Sequence, residues 1–248
     1  MPADKTLALV IRTIPFGETS SVVALFCREF GKLRALAKGA WRPKSSFDGG
    51  LDLLSMSQVL VLRKSSGGLD LLTEASLESR FRVGTSLAAV LGGLHVAELL
   101  DVLTADADPQ PELFDVAHAT LRRLSDWRGD ESSLAGILLG TELAILRIVG
   151  HAPETSLCVE CRGPLPSSGR TAFGMLEGGT LCPECRRGRR AVASLSAPAL
   201  AALGGRGEPP PAAATEARAV ITSYLAHLLG RPTRVAARLR AAPRRRTN

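Results

Sequence analysis

The segment SVVALFCREFGKLRALAKGA, residues 21–40, contains two runs of strand-forming residues that meet at Gly31. In the second run, cations alternate with small or apolar residues, as they do in a strand whose successive side chains point to opposite faces. The two sets are the cations Lys32, Arg34 and Lys38 and the apolar residues Leu33, Ala35 and Ala37. This alternation predicts two strands of a sheet, the second with a buried apolar face and an outward row of cations.

Three further runs near the start of the chain favour strands. They are TLALVIRTI (6–14), LDLLSMSQVLVLRK (51–64) and LDLLTEASLESR (69–80). Turn-forming residues separate the five runs at 15–17, at Gly31, at 42–46 and at 65–68. Periodicity alone also allows a helix for LDLLSMSQVLVL, but its valines and the double glycine that follows favour a strand. Five short strands predict a small barrel, and the OB-fold is the commonest such barrel with nucleic-acid partners.

After residue 82, the apolar residues of the chain recur at helical spacing. Three apolar-periodic segments cover 86–103, 111–127 and 131–150, and Pro111 stands at a favourable first helical position. The third segment ends at Gly150, a common helix stop. A connector, EPPPAAA (208–214), precedes a last predicted helix at 215–230.

Four of the five cysteines form two CxxC pairs, Cys158 with Cys161 and Cys182 with Cys185. This spacing is typical of zinc sites, and four thiolates complete a tetrahedral shell without an open position for water. One structural Zn²⁺ per chain is therefore predicted. A disulfide is disfavoured because the start of the chain has no secretion signal, although a redox role for one pair stays open. Between the pairs, a hairpin is predicted to turn at Glu177–Gly179. The fifth cysteine, Cys27, is predicted to be a buried small hydrophobe.

These segments predict an α+β protein, in which an N-terminal five-stranded OB-fold β-barrel is followed by an α-helical domain with an inserted four-cysteine zinc ribbon. The predicted boundaries are 1–80 for the barrel, 81–154 and 191–241 for the two parts of the helical domain, 155–190 for the ribbon and 242–248 for a basic tail.

The chain carries a net charge of +7, which favours a polyanionic partner. The main basic cluster is predicted to contact nucleic acid, with one tryptophan available to stack on a base. Its members are Arg28, Lys32, Arg34, Lys38, Trp41, Arg42 and Lys44. The alternatives are a solvated sheet face and a core tryptophan. Five arginines beside the cysteines either neutralise the metal site or face a polyanion. They are Arg162, Arg186, Arg187, Arg189 and Arg190. The segment 231–246 has seven arginines and no acid, which also favours nucleic acid.

Catalysis and membrane insertion are not supported by the sequence. It contains no GxxxxGK[ST] phosphate loop and no HExxH metal motif, and its four histidines are scattered. No apolar run approaches the length needed to span a bilayer. We therefore expect a protein that is not an enzyme, located in the cytoplasm in association with the nucleoid.

Several segments resemble, in order, the bacterial recombination mediator family RecO. They are GETSSVVALFCREFGKLRALAKGAWRPKS (17–45), LDLLTEA (69–75), PELFDVAHATLRRL (111–124), GHAPETSLCVEC (150–161) with LCPEC (181–185), and YLAHLLGRP (224–232). The resemblance implies the domain order given above, binding of single- and double-stranded DNA, and annealing of complementary strands. It also implies contact with the C-terminal tail of single-stranded-DNA-binding protein, and action with RecR, and in some cases RecF, in loading the recombinase RecA.

That tail peptide is acidic and ends in an aromatic residue, so its dock needs an apolar notch and a cation for the carboxylate. Arg122, Arg123 and Arg147, flanking a groove between the second and third helices, are predicted to supply the cation; ordinary surface charge is the alternative. A different class of function, a zinc-stabilised protein-interaction adaptor with only incidental DNA contact, also fits the sequence.

The C-terminal segment of this chain after Leu239 is longer and richer in arginine than the family pattern leads us to expect.

Overall fold

In the computed structural model, five strands close a barrel in the order β1-β2-β3-β5-β4. Their bounds are β1 Ala3–Phe16, β2 Ser20–Cys27, β3 Gly31–Ala37, β4 Met56–Leu62 and β5 Asp70–Ser79. All five predicted strands are confirmed, including the one at 51–64 that periodicity left open, although its first five residues form turns instead. The structure describes residues 3–47, 49–64, 68–129, 131–205 and 207–241.

Strand β1 closes the barrel because it pairs with two neighbours. Its first half, from Ala3 to Leu9, lies antiparallel to β4, and its second half lies antiparallel to β2. A bulge between Val10 and Arg12 interrupts the pairing of β1 with β2. A bulge bends a strand and increases its twist, which lets one long strand follow the curve of a small barrel.

The barrel interior is filled by the residues that the alternation predicted. Leu33, Ala35 and Ala37 are all buried in the same apolar core, together with Val10 and Leu25. The fold class that the sequence predicted, an OB-fold barrel followed by helices and a cysteine cluster, is confirmed.

Two helices pack on the outside of the barrel. Helix α1 spans Leu87–Leu103, and Ser86 caps it by accepting a hydrogen bond from the Ala89 backbone nitrogen. Helix α2 spans Pro111–Asp126, and its Phe114 stacks on Phe26 of β2 with the ring centroids 6.5 Å apart. These helices belong to the same compact unit as the barrel, Met1–Asp126.

The connector between α1 and α2 approaches the barrel closely at Gly31. A Cβ atom at Gly31 would lie 2.0 Å from the Asp108 carbonyl oxygen, and the φ of Gly31 is +66°. Only glycine adopts this positive φ without strain and has no Cβ atom to clash with the Asp108 carbonyl. The Ala107 backbone nitrogen also donates to the Lys32 carbonyl oxygen over 2.8 Å, and Asp106 forms an isolated parallel bridge with Lys32 of β3.

The second compact unit is Trp127–Asn248. Its helices are α3 Glu131–Ile148, α4 Ala197–Leu203, α5 Pro211–Leu228 and α6 Arg234–Ala241. Its three-stranded sheet has the order β7-β6-β8, with β6 Thr171–Gly174, β7 Gly179–Leu181 and β8 Val192–Leu195. The predicted hairpin is confirmed, since β6 and β7 pair antiparallel and join at residues 175–178.

Some elements differ from the predictions. The last long helix begins at Pro211, inside the predicted connector, because proline suits the first turn of a helix. Strand β8 and helices α4 and α6 were not predicted. Part of the predicted turn at 65–68, namely 65–67, and the predicted tail at 242–248 lie outside the described residues. None of the helices in the described part of the chain is long and apolar enough to cross a membrane.

Candidate nucleic-acid interface and metal centre

Lys32 does not face solvent, so the predicted outward row of cations is wrong at this residue. The residue is 3% exposed. Its ammonium donates to the carbonyl oxygens of Asp101 and Thr104 at the end of α1, over 2.6 and 2.7 Å. It also lies 3.4 Å from the Asp106 carboxylate. The side chain does leave the barrel on the outer face, but α1 and the connector cover that face.

Arg34 and Arg12 complete a charge network on the same surface. Arg34 pairs with Asp106 at 2.9 Å and with Asp101 at 3.2 Å, and Arg12 reaches Asp101 at 3.4 Å. Two carboxylates thus serve three cations. The network neutralises much of the positive charge that the sequence assigned to this strand.

Arg28 is held in the same way at the end of β2. Its guanidinium makes two parallel hydrogen bonds of 3.0 Å to the carboxylate of Asp115 on α2. These hydrogen bonds lower the pKa of Asp115 and raise that of Arg28. Both side chains are about half exposed, so solvent weakens the pair.

The rest of the predicted cluster remains exposed. Lys38, Arg42 and Lys44 follow the end of β3, and none of them forms an ion pair within the residues that the structure describes. Trp41 lies among them and is 59% exposed. The structure therefore divides the predicted residues into three neutralised by acids (Arg28, Lys32 and Arg34) and a group of three cations with one tryptophan.

The tryptophan is held in place by the β1–β2 hairpin. Its backbone nitrogen donates to the Thr19 carbonyl oxygen over 2.9 Å, and its indole Nε1 donates to the Ser21 hydroxyl over 2.9 Å. A ring fixed by its own N–H loses little freedom when a ligand stacks on it. The sequence could not show this anchoring, because it joins residues about twenty positions apart.

The four predicted metal ligands come together in the second unit. The ligand atoms of Cys158, Cys161, Cys182 and Cys185 all lie within 4.8 Å of one another. The Sγ atoms of Cys161 and Cys182 are 3.8 Å apart. That separation is too long for a disulfide. It fits a tetrahedral site, because Zn–S bonds of about 2.3 Å place neighbouring sulfurs about 3.8 Å apart.

The electrostatics of the cluster also fit a cation. Burial opposes ionisation of the Cys158 thiol, but hydrogen bonds from the backbone nitrogens of Cys161 and Cys182 lower its pKa to about 6. Hydrogen bonds with the side chains of Cys182 and Cys161 instead raise the pKa of Cys185 to about 12. Four thiolates this close cannot all carry charge without a counter-ion, so the four cysteines can hold a metal ion.

Three of the five arginines near the cysteines form ion pairs with carboxylates. The pairs are Arg162 with Glu154 at 2.7 Å, Arg187 with Glu184 at 3.0 Å, and Arg189 with both Glu160 and Glu177 at 3.0 Å. The cysteine sulfur is approached by a backbone donor rather than by these arginines: the Cys185 nitrogen donates to the Cys182 Sγ over 3.4 Å. Arg186 and Arg190 are exposed and carry no ion pair among the described residues.

The three arginines predicted to dock a peptide lie in different units. Arg122 and Arg123 are on α2 in the first unit, and Arg147 is near the end of α3 in the second. All three are exposed. Arg122 lines a cleft of about 360 Å³ in the first unit, together with the cationic or titratable Arg80 and His118 and the apolar Met56, Phe81 and Leu121.

The barrel, the helices and the four-cysteine module define an OB-fold protein with an inserted cysteine cluster that could hold a metal ion. Residues 1–81 match the family model described as Recombination protein O N terminal, and residues 84–236 match Recombination protein O C terminal. The chain therefore belongs to the recombination protein O (RecO) family, whose role is in DNA repair and recombination.

Relatives from several bacteria agree with this assignment. The DNA repair protein RecO of Rhodopirellula baltica is 39% identical over 199 residues, which cover 79% of this chain and 72% of that protein. That of Myxococcus xanthus is 32% identical over 231 residues, covering 90% and 91%. That of Anaeromyxobacter dehalogenans strain 2CP-1 is 33% identical over 249 residues, covering 96% and 95%. The resemblance inferred from the sequence is confirmed.

Proposed function

We propose that this protein is a non-enzymatic recombination mediator that binds single- and double-stranded DNA and anneals complementary strands. The observation that carries the proposal is the exposed group at the end of β3, where Lys38, Arg42 and Lys44 lie within three residues of the anchored Trp41 along the chain. These three cations have no acidic partner among the described residues, so they can contact phosphates, and binding then releases counter-ions from the DNA. Arg28, Lys32 and Arg34 are left out of this DNA face because acids of α1, α2 and their connector already pair with them.

Annealing follows from charge neutralisation. Two DNA strands repel each other through their phosphates, and a strand whose phosphates are paired with cations approaches its complement at a lower electrostatic cost. The barrel needs no catalytic group for this step. It has only to hold one strand loosely enough that the complement can replace the protein contacts with base pairs.

The metal is proposed to be Zn²⁺, one per chain, bound by the four cysteines. Sulfur ligands in a tetrahedral arrangement favour zinc over the harder cations. A shell of four protein ligands leaves no position for a reacting water, so the ion has a structural role. It ties two segments that are 20 residues apart in sequence, those around Cys161 and Cys182.

Partner contacts extend the proposal. The protein is proposed to act with RecR, and where it is present RecF, in loading RecA onto DNA coated by single-stranded-DNA-binding protein. The acidic tail of that protein is proposed to dock in the cleft beside α2. Arg122, with Arg80 nearby, offers cations for the tail carboxylates, and Met56, Phe81 and Leu121 offer an apolar surface for its last ring.

Salt-dependent DNA binding tests the main proposal. The triple variant Lys38→Ala, Arg42→Ala, Lys44→Ala should bind a labelled oligonucleotide more weakly, with a salt slope reduced by about two to three units. The matched control removes the same charge elsewhere, through Arg122→Ala, Arg123→Ala, Arg147→Ala, and should leave the slope unchanged. Equal losses in both variants would mean that net charge, and not this face, determines binding.

Two further measurements separate the partner roles. The control variant should bind a synthetic tail peptide more weakly than the wild type in an anisotropy titration, whereas the DNA-face variant should bind it normally. Annealing of complementary oligonucleotides coated with single-stranded-DNA-binding protein should require the DNA face. A wild-type protein that binds the peptide but shows no salt-dependent DNA binding would instead be an interaction adaptor.

A further inference from the structure

Two aromatic rings are exposed at the same end of the barrel. Phe16, the last residue of β1, is 57% exposed, and Trp41 is 59% exposed. Both residues contact the turn before β2 or the first residues of that strand. Phe16 pairs with Ser20, whose hydroxyl accepts a hydrogen bond from the Gly39 nitrogen over 3.1 Å, while Trp41 is bonded to Thr19 and Ser21.

The register of the strands shows which way Phe16 points. Ser21 pairs with both Pro15 and Ala37, and Ala37 lies in the barrel core. Directly opposed residues share a face and neighbours along a strand alternate, so Phe16 points outward. Ile14 shares this outer face with Phe16 and is 43% exposed. The end of β1 therefore presents apolar side chains to solvent on its outer face.

Charges beside the rings indicate the partner. The exposed cations Lys38, Arg42 and Lys44 lie within three residues of Trp41 along the chain. An apolar surface of a protein partner would not neutralise these three cations, which have no acidic partner in the described part of the chain. A nucleic acid offers a phosphate for each cation and a base for each ring. Charge complementarity thus favours a nucleic-acid strand over a protein at this position.

We propose that Phe16 and Trp41 are two separate stacking positions for unpaired bases at this end of the barrel, and that they make the barrel prefer single-stranded DNA to duplex. The inference rests on the proposed DNA-binding function and deepens it. Phosphate contacts hold either form of DNA, but only a single strand can turn its bases toward the rings. In a duplex the base faces are already stacked on one another, so the rings add nothing to duplex binding.

The two contributions respond differently to mutation. Loss of a phosphate contact changes the salt slope, while loss of a stacking contact weakens binding at every salt concentration. Removing one ring should lower the affinity for a single strand about tenfold, since stacking on an aromatic side chain strengthens binding by about that factor. The affinity for duplex should not change.

The test compares Phe16→Ala, Trp41→Ala and the double variant with the wild type. Each is titrated with a labelled oligothymidylate of about 30 nucleotides and with a random-sequence duplex of the same length, from about 50 to about 300 mM NaCl. We expect weaker single-strand binding, unchanged duplex binding and parallel salt slopes. Phe16→Tyr should restore binding because it keeps the ring, and Leu87→Ala, which removes another exposed apolar side chain, should have no effect.

Fluorescence gives a second measurement that does not depend on a destabilised variant. The chain has two tryptophans, so Trp127→Phe leaves Trp41 as the reporter. Oligothymidylate should quench its emission and duplex should not. Equal losses for both DNA forms, or no loss for either, would overturn base stacking on Phe16 and Trp41 while leaving DNA binding intact. A wild type that binds neither form of DNA would overturn the proposed function as well.

Discussion

The ammonium of Lys32 lies 2.7 Å from the carbonyl oxygen of Thr104, the C-cap residue of α1. It also donates to the Asp101 carbonyl oxygen over 2.6 Å. The last carbonyls of a helix have no partner within the helix, and the negative end of its dipole favours a cation. Lys32 supplies the donor and the charge together. A strand of the barrel is thereby fastened to the end of a helix.

Replacing Lys32 by methionine should destabilise the protein strongly. The substitution keeps the volume but leaves two buried carbonyls and nearby carboxylates without their cation, at a cost of roughly 3 kcal/mol. Urea unfolding followed by circular dichroism measures the change. Lys38→Met is the matched control, because Lys38 is exposed, and it should shift the free energy of unfolding by less than about 0.5 kcal/mol. Equal effects of the two substitutions would contradict the structural role of Lys32.

The case of Lys32 shows how far a strand pattern can be taken. Alternation correctly placed Leu33, Ala35 and Ala37 in the barrel core and Lys32 and Arg34 on its outer side. It could not show that α1 and its connector cover that side, because those residues come about seventy positions later. A period of two identifies the face of a strand and not what packs on it.

The metal site was predictable because its chemistry is local. Two residues between the cysteines of each pair bring their sulfurs into one turn, and the hairpin that joins the pairs follows from Gly178 and Gly179. The roles of the nearby arginines were not predictable, since the choice between sulfur, carboxylate and DNA depends on packing. Arg189 illustrates this, as it joins Glu160 and Glu177 from different parts of the module.

Asp106→Asn should strengthen DNA binding. Asp106 pairs with both Lys32 and Arg34, and only Arg34 is substantially exposed. Without the Asp106 charge, Arg34 keeps only its pair with Asp101 at 3.2 Å, and its Nε edge becomes available to a phosphate. The salt slope should therefore steepen by up to about one unit. Asp108→Asn is the control on the same connector, where Asp108 accepts a hydrogen bond from the Gln110 side chain. If both variants bind DNA like the wild type in an anisotropy titration, the acids do not shield this surface.

Cys158→Ser should abolish metal binding. Cys158 is the fully buried member of the four, and serine cannot replace a thiolate ligand of zinc. Elemental analysis should find about one zinc per wild-type chain and almost none in the variant. Cys27→Ser should retain the metal, since Cys27 lies in the barrel core and burial raises its pKa to about 12. Without metal, trypsin should cut readily at Arg186 and Arg187. Full zinc content in Cys158→Ser would contradict the assignment.

The contribution of Glu216 to stability should depend on pH. Glu216 on α5 accepts a hydrogen bond from the Ser196 hydroxyl over 2.6 Å and another from the Ser196 nitrogen over 3.0 Å, and it pairs with Arg170. Ser196 is in turn the cap of α4. The hydrogen bond from the Ser196 side chain, with smaller contributions from its backbone and from Arg170, lowers the pKa of Glu216 below its ordinary value of 4.5.

A carboxyl whose pKa is lowered by folding stabilises the protein fully above its unfolded pKa and loses that contribution as pH falls through the folded value. Glu216→Gln should therefore cost about 1 kcal/mol at pH 7, and its difference from the wild type should shrink as the pH falls below about 4.5. Urea midpoints of both proteins across this range measure the difference at each pH, so acid effects common to both cancel. Glu208→Gln, at an exposed position, should match the wild type throughout. A Glu216→Gln difference that stays constant down to about pH 3 would mean that the carboxylate charge contributes nothing.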